Sequence, residues 1–261
     1  MKALGALFFG VLLCTAQVDS SAGMKAYYAD DYAAAVSLLK PLAEKGDANS
    51  QAVLGSIYES AGKGVSQDFV EAAKWYDLAS RQGNPLALYN LALLYEFGKG
   101  VRQDFGAAID LYRKSSEQGN PWAQYNLALH YKNGTGVAQD YAEALRLLRL
   151  AADRFPAAQA AVGLFYDLGL GVPQDYDAAV RWYRKSAEQG EVLGQLELGI
   201  VYRMGQGVSQ DLVQAHMWLN LASAQGNAEA RKIRDEIAAK MTPAQIAEAQ
   251  RLAREFKAKA Q

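Results

Sequence analysis

The sequence has little of the chemistry on which metal sites, disulfides and most catalytic centres depend: its 261 residues include one cysteine and two histidines. The histidines, His130 and His216, are far apart and lack the spacing of a metal-binding motif. No GxSxG or SxxK motif stands in a catalytic context. The sequence therefore predicts a protein that is not an enzyme and that holds no metal or cofactor.

An excess of charge of one sign is also lacking, because 27 basic and 28 acidic residues leave a formal net charge of -1. A nucleic-acid-binding protein needs a concentrated basic patch, and none stands out along the chain. We therefore expect no nucleic-acid partner. Hydrophobic residues make up 51% and charged residues 21%, which is typical of a well-packed soluble protein rather than a disordered one.

The N-terminal apolar run, from Ala3 to Leu13, is too short to cross a bilayer stably. It follows the basic residue Lys2 and precedes a stretch of small and polar residues. This order is typical of a secretory signal peptide. The sequence thus predicts an exported protein, periplasmic or secreted, without a stable membrane span.

Two cleavage positions fit the small-residue rule, after Ala16 and after Ala22, and the second is preferred, which gives a signal peptide of residues 1–22. Cys14 is a weaker candidate for lipid attachment, because Leu13 before it is bulkier than the small residue that lipoprotein processing requires. Cleavage at either alanine leaves a mature chain without cysteine, which cannot form disulfides.

A seven-residue segment recurs five times, in the forms GKGVSQD, GKGVRQD, GTGVAQD, GLGVPQD and GQGVSQD. Its first glycines lie at intervals of 36, 36, 35 and 36 residues, at Gly62, Gly98, Gly134, Gly169 and Gly205. A fixed period of this length indicates a repeat architecture.

Each interval carries two amphipathic helical patterns. In the second repeat, apolar residues fall at i, i+3, i+4 and i+7 in both: Leu88, Leu91, Ala92 and Tyr95, then Phe105, Ala108, Ile109 and Tyr112. One helix pair cannot bury both stripes, so neighbouring pairs must stack. The sequence predicts an all-α, right-handed α-solenoid of helix-turn-helix repeats of about 36 residues.

Residues around the second helix recur in register. An aspartate just before it is a predicted N-cap, at Asp68, Asp104, Asp140, Asp175 and Asp211. Four residues later, an alanine is expected to allow close helix approach, at Ala72, Ala108, Ala144, Ala179 and Ala215. Large side chains are expected to fill the neighbouring space, namely Trp75, Tyr112, Trp182 and Trp218.

The pattern resembles the Sel-1-like repeat family, a branch of the tetratricopeptide-type α-solenoids. The resemblance rests on Leu91, Ala92, Tyr95 and the loop from Gly98, and on their counterparts in the other repeats. Together with the predicted signal peptide (1–22), it divides the chain into a divergent N-terminal repeat (23–46), five Sel-1-like repeats (47–226) and C-terminal capping helices (227–261). The last helix should begin with a capping box at Thr242 and Gln245.

The resemblance also implies a function: a scaffold or adaptor that holds a protein or peptide on its concave face, in the periplasm or cell envelope. A tyrosine recurs near the end of each first helix, at Tyr58, Tyr95, Tyr131, Tyr166 and Tyr202. By similarity to tetratricopeptide-type solenoids, that face includes the side chains six and five before, and one after, this recurring tyrosine. The candidate partner-binding residues are Tyr89, Asn90, Glu96, Tyr125, Asn126, Lys132, Asp167, Glu197 and Arg203.

Three other functions stay open. Cell-wall glycan or muropeptide could stack on Trp122, Tyr89 and Tyr125, or the protein could be a structural adaptor with no groove ligand. Cysteine-rich relatives are linked to β-lactam hydrolysis, but the cysteine pair of each of their repeats is missing here. The oligomeric state stays open.

Two repeats depart from the pattern. Around Asp153 to Pro156 the third repeat loses one residue and its usual glycine, which we expect to alter the local turn. The first repeat carries one additional residue near Ser60 and Ala61.

Overall fold

The computed structural model describes residues 20–62 and 64–260, and side chains as far as residue 256. Most of the predicted signal peptide, with Cys14 and the cleavage position after Ala16, lies outside the described residues. The described residues form the helices α1 (Ser21–Tyr28), α2 (Tyr32–Glu44), α3 (Ala48–Ser60), α4 (Phe69–Arg81), α5 (Pro85–Phe97), α6 (Phe105–Glu117), α7 (Pro121–Asn133), α8 (Tyr141–Ala151), α9 (Pro156–Leu168), α10 (Tyr176–Glu188), α11 (Val192–Met204), α12 (Leu212–Ala224), α13 (Ala228–Ala238) and α14 (Pro243–Ala260).

The chain divides into two compact units between Asp104 and Phe105. In the first unit each helix from α1 to α5 packs against the next one along the chain. In the second unit the same holds from α6 to α13, and α14 packs on α12. The first helices of the five repeats are α3, α5, α7, α9 and α11, and the second helices are α4, α6, α8, α10 and α12. The predicted all-α repeat architecture is confirmed.

The repeated loop ends one helix and starts the next. In the last four repeats its first glycine lies in the left-handed region, with φ of +63° at Gly98 and +73° at Gly205, and terminates the first helix. The loop glutamine then donates its side-chain N–H to the backbone carbonyl of the residue after the recurring tyrosine, at 2.6–2.8 Å in all five repeats, from Gln67, Gln103, Gln139, Gln174 and Gln210. The glutamine thereby satisfies a helix-end carbonyl that would otherwise lack a partner.

The second glycine of the loop touches the preceding repeat. Gly171, at φ +67°, lies so close to α8 that an added Cβ would sit 2.9 Å from the carbonyl carbon of Tyr141 and 3.0 Å from the amide nitrogen of Ala142. Gly100, Gly136 and Gly207 approach the first residue of the preceding second helix in the same way. Each loop therefore fixes the distance between two repeats.

The predicted N-caps are confirmed at four of the five aspartates. The carboxylate of Asp140, for example, accepts a hydrogen bond of 3.0 Å from the backbone N–H of Glu143. Equivalent bonds begin α4, α10 and α12, from Asp68, Asp175 and Asp211. The capping box of the last helix is also present, because Thr242 and Gln245 exchange side-chain to backbone hydrogen bonds.

The repeated alanines are fully buried, as predicted. The expectation for the large residues was partly wrong, because Trp182 is only half-buried and the adjacent Tyr183 is the fully buried side chain. Tyr76 and Tyr112 occupy the same position as Tyr183, eight residues after the capping aspartate, and are also fully buried. Trp75 precedes that position by one residue and remains slightly exposed, so the predicted series joined two different helical positions.

Both irregular repeats have a structural consequence. The additional residue of the first repeat puts Ala61 at φ +58°, followed by a pair of backbone hydrogen bonds of 3.1 Å between Gly62 and Val65. In the third repeat the shortened turn places Phe155 at the N-cap of α9, without a side-chain capping bond. The equivalent positions before α5 and α7 hold capping asparagines, Asn84 and Asn120.

Replacement of the second loop glycine tests the close approach between repeats directly. We expect Gly171→Ala to lower the free energy of unfolding by about 2–4 kcal/mol, since steric overlap with α8 adds to the strain of a side chain at positive φ. The control is Gly190→Ala, in the turn between α10 and α11, which places a methyl group at φ +84° with no atom within 4 Å and so reports the backbone strain alone, about 1 kcal/mol. Urea unfolding of both variants measures the difference, and equal losses would contradict the account.

Candidate functional site

The buried tyrosines of the second helices form polar contacts with the predicted site residues. In the first unit the hydroxyl of Tyr76 donates to the carboxylate of Glu59 at 2.8 Å and accepts from the side-chain amide of Asn90 at 3.1 Å. Burial, followed by the charge of Glu59, holds the pKa of Tyr76 well above its ordinary value. The hydroxyl is therefore a fixed donor to Glu59.

The second unit repeats this arrangement with changes. The amide of Asn126 donates to the hydroxyl of Tyr112 at 3.3 Å, and the hydroxyl of Tyr183 donates to the carboxylate of Asp167 at 3.1 Å. Three of the residues assigned by sequence to partner binding, Asn90, Asn126 and Asp167, thus hydrogen-bond to tyrosines buried in the stack. Part of their hydrogen-bonding capacity serves the fold.

Among the predicted site residues, Glu197 on α11 has the most strongly shifted pKa. Burial, together with the nearby carboxylates of Asp167 and Glu229, raises its pKa to about 7. Burial disfavours the charged form, and two like charges disfavour it further. Three helices of the second unit, α9, α11 and α13, therefore bring carboxylates together where none has a basic partner within ion-pair distance among the described residues.

The other predicted residues differ in exposure. Arg203 forms an ion pair of 3.7 Å with Glu236 of the cap, and its side chain is 41% exposed. Lys132 is half-buried, as are Glu96 and Tyr89. The structure thus brings Asp167 and Glu197 together, while Arg203 contacts α13 through its ion pair with Glu236.

Two of the aromatic residues considered for sugar binding, Trp122 and Tyr125, contact the ring of Phe155. Tyr125 meets the ring of Phe155 edge to face, with centroids 5.1 Å apart, and Trp122 contacts the same ring at 6.3 Å. Burial raises the pKa of Tyr125, and the nearby Glu191 adds to the shift. Phe155, supplied by the irregular turn before α9, covers part of the ring surface that sugar stacking would need.

Exposed apolar residues at the ends of the first helices were missed by the sequence reasoning. Leu168 is 57% exposed and Met204 is 55% exposed, each two residues after the recurring tyrosine, on the directly contacting helices α9 and α11. Phe97 holds the same position in the first unit and is 60% exposed. The signal was present in the sequence, because large apolar side chains recur next to the helix-ending glycine, where packing does not require them.

A cavity of about 480 Å³ lies in the first unit, between α2 and the first loop. Ala33, Val36 and Tyr58 line it together with loop residues 64–68. It contains none of the predicted site residues.

The described residues offer neither a metal-binding cluster nor a membrane-spanning helix. Residues 20–62 and 64–260 contain no group of three histidine, cysteine, aspartate or glutamate residues able to hold a metal ion. In the same part of the chain, no helix is long and apolar enough to cross a membrane.

Comparison with solved structures gives two relatives that the chain matches over 91% of its length. One is a Sel1 repeat protein from Oxalobacter formigenes, with 30% identity, a TM-score of 0.79 and 99% of that chain covered. The other is a protective antigen of uropathogenic Escherichia coli with an SLR fold, with 31% identity and a TM-score of 0.78. The match spans 54% of that longer chain. No curated protein matches the sequence.

The family model described as Sel1 repeat matches most of the chain in five consecutive copies. The matched residues are 48–84, 85–120, 123–154, 156–191 and 192–227. Together with the repeated loops, the helix pairs and the two similar structures, these matches confirm the family that the sequence pattern suggested. The chain belongs to the Sel1 repeat family of α-solenoid scaffolds.

Proposed function

We propose that this protein is a non-enzymatic adaptor of the cell envelope that binds a protein or peptide along the first helices. The observation that carries the proposal is the exposure of Leu168 and Met204 at neighbouring helix ends of the second unit. They lie beside the predicted site residues Asp167 and Arg203 in sequence. A repeat scaffold of this family provides such surfaces for partner proteins.

The energetics favour a macromolecular partner at this surface. Covering two half-exposed apolar side chains contributes about 1–3 kcal/mol to binding, which can anchor a peptide. A small molecule would instead need a concave, mostly apolar pocket, which these two side chains do not form. The adjacent polar groups add specificity, because Asn126 uses one side-chain N–H on Tyr112 and keeps its amide oxygen for a backbone donor. The carboxylates of Asp167 and Glu197 favour a partner with a basic residue beside its apolar anchor.

The proposed partner-binding set keeps the predicted residues and adds Leu168 and Met204. Asn90 and Asn126 have a double role, since each also stabilises a buried tyrosine hydroxyl. Their replacement would disturb packing and binding together. The exposed apolar pair therefore gives a cleaner test of the surface.

Capture from an envelope extract tests the proposal. We expect the double variant Leu168→Ser with Met204→Ser to lose a protein that the parent retains, because the apolar anchor is gone. The matched control is Leu78→Ser with Leu150→Ser, since these leucines are 44% and 50% exposed but lie on second helices. Quantitative mass spectrometry of the bound material measures the difference.

Retention of the same proteins by the parent and both variants would reject the first-helix surface. Binding of purified wall fragments that depends on Trp122 and Tyr125 would favour the glycan alternative instead. Circular dichroism of each variant confirms that the helices remain formed.

Export is part of the proposal, and the structure bears on its cleavage site. Helix α1 begins at Ser21, and the backbone N–H of Met24 donates to the carbonyl of Ser20 at 2.9 Å. Cleavage after Ala22 would remove this first turn, whereas cleavage after Ala16 would keep it. We therefore favour cleavage after Ala16 over the position after Ala22 that the sequence pattern preferred. We expect an intact-mass measurement of the exported protein to give a chain that starts at Gln17, and a start at Gly23 would contradict this.

The carboxylate group around Glu197 predicts a dependence of stability on pH. The folded protein raises the pKa of Glu197 from 4.5 to about 7, so between these values the folded state holds a proton that the unfolded chain has released. Stability therefore falls as pH rises through this window, by no more than about 3 kcal/mol.

Glu197→Gln should remove that part of the dependence and be more stable than the parent at about pH 8. The exposed Glu188 provides the control, Glu188→Gln, for which we expect the pH profile of the parent. Urea unfolding at about pH 5 and about pH 8 measures all three proteins. Parallel profiles for the parent and Glu197→Gln would show that folding does not raise the pKa of Glu197.

A further inference from the structure

A row of arginines recurs on three consecutive second helices of the second unit. Each lies nine residues after the aspartate that ends its repeat's loop, and each guanidinium donates a hydrogen bond to the hydroxyl of the recurring tyrosine on the next first helix. We name these residues the arginine–tyrosine row; the pairs are Arg113 with Tyr131, Arg149 with Tyr166, and Arg184 with Tyr202.

The tyrosines hold the guanidinium groups in place. The guanidinium carbon of Arg113 lies 6.0 Å from the ring centroid of Tyr131, and that of Arg149 lies 5.7 Å from the ring of Tyr166. A hydrogen bond and a ring contact together restrict a side chain that would otherwise sample many rotamers. The tyrosine uses one of the five N–H donors of each guanidinium, so most of the hydrogen-bonding capacity remains.

The row is limited to these three repeats. In the first repeat the same position is Asp77, which pairs with Arg81 at 2.7 Å. In the last repeat it is Asn220, whose side-chain oxygen accepts from Arg234 of the cap at 3.0 Å. Packing between repeats therefore does not by itself require an arginine at this position.

Two of the three cations have no carboxylate partner among the residues that the structure describes. Arg113 pairs with the exposed Asp110 at 3.1 Å, whereas no ion pair joins Arg149 or Arg184 to any carboxylate of the described residues. Both side chains are exposed. Lys185, next to Arg184, adds a further positive charge over the ring of Trp182.

We propose that the arginine–tyrosine row binds an acidic peptide segment of a partner protein. A planar guanidinium matches a carboxylate with two parallel hydrogen bonds, and a fixed guanidinium loses less side-chain entropy on binding than a free one. This surface lies on residues other than those of the proposed function, and the two can succeed or fail independently.

Fluorescence anisotropy with a labelled synthetic peptide tests the proposal. The probe is about 12 residues long with glutamate at every third position, which places successive carboxylates about 10 Å apart in an extended chain. We expect it to bind the parent and to bind Arg149→Gln with Arg184→Gln about tenfold more weakly. Tyr166→Phe with Tyr202→Phe keeps the charges and loses the hydrogen bonds, so we expect a loss of about threefold.

The matched control is Arg231→Gln with Lys232→Gln, which removes the same charge from exposed positions of the cap helix α13. We expect this variant to bind within about twofold of the parent, and a peptide with lysine in place of glutamate not to bind. Equal weakening by both charge-removing variants would reduce the row to nonspecific attraction and overturn the proposal. So would failure of the parent to bind, or binding of a single-stranded oligonucleotide or anionic vesicles in place of the peptide.

Discussion

The close approach of one glycine in each repeated loop to the preceding repeat is the constraint on which most of the structure depends. At Gly171 there is no room for a Cβ between the loop and the first turn of α8. The loop can take this path because Gly169 turns the chain in the left-handed region and Gln174 satisfies a carbonyl at the end of α9. Each repeat is thereby placed against its neighbour by backbone contact, and side-chain packing of alanines and tyrosines follows.

This division of labour explains where function can lie. The loop glycines, the loop glutamine, the capping aspartate and the buried alanine recur because each repeat needs them to form and stack. Positions at the ends of the first helices vary, from Asp167 and Leu168 in one repeat to Arg203 and Met204 in the next, and the stack tolerates each. Variable side chains on a fixed scaffold are where a partner can be selected.

The sequence predicted the repeat period, the helix pairs, the caps and the buried alanines, because each depends on contacts within one repeat or with the next copy of the same pattern. It misplaced Trp182 in the core, since one residue of helical register decides between it and Tyr183. It assigned Asn126 to partner binding and did not reveal that the same side chain hydrogen-bonds to the hydroxyl of Tyr112 on a neighbouring helix. The raised pKa of Glu197 depends on three helices, and no single segment of sequence contains that information.

Hydrogen–deuterium exchange of the protein with and without its captured partner tests the central claim most directly, because it requires no substitution. The account predicts slower exchange at the C-terminal turns of α9 and α11 and in the loops that follow them, with the cap helices α13 and α14 unchanged. Protection confined to the cap helices would contradict it, because the partner would then bind the end of the stack and not the first helices.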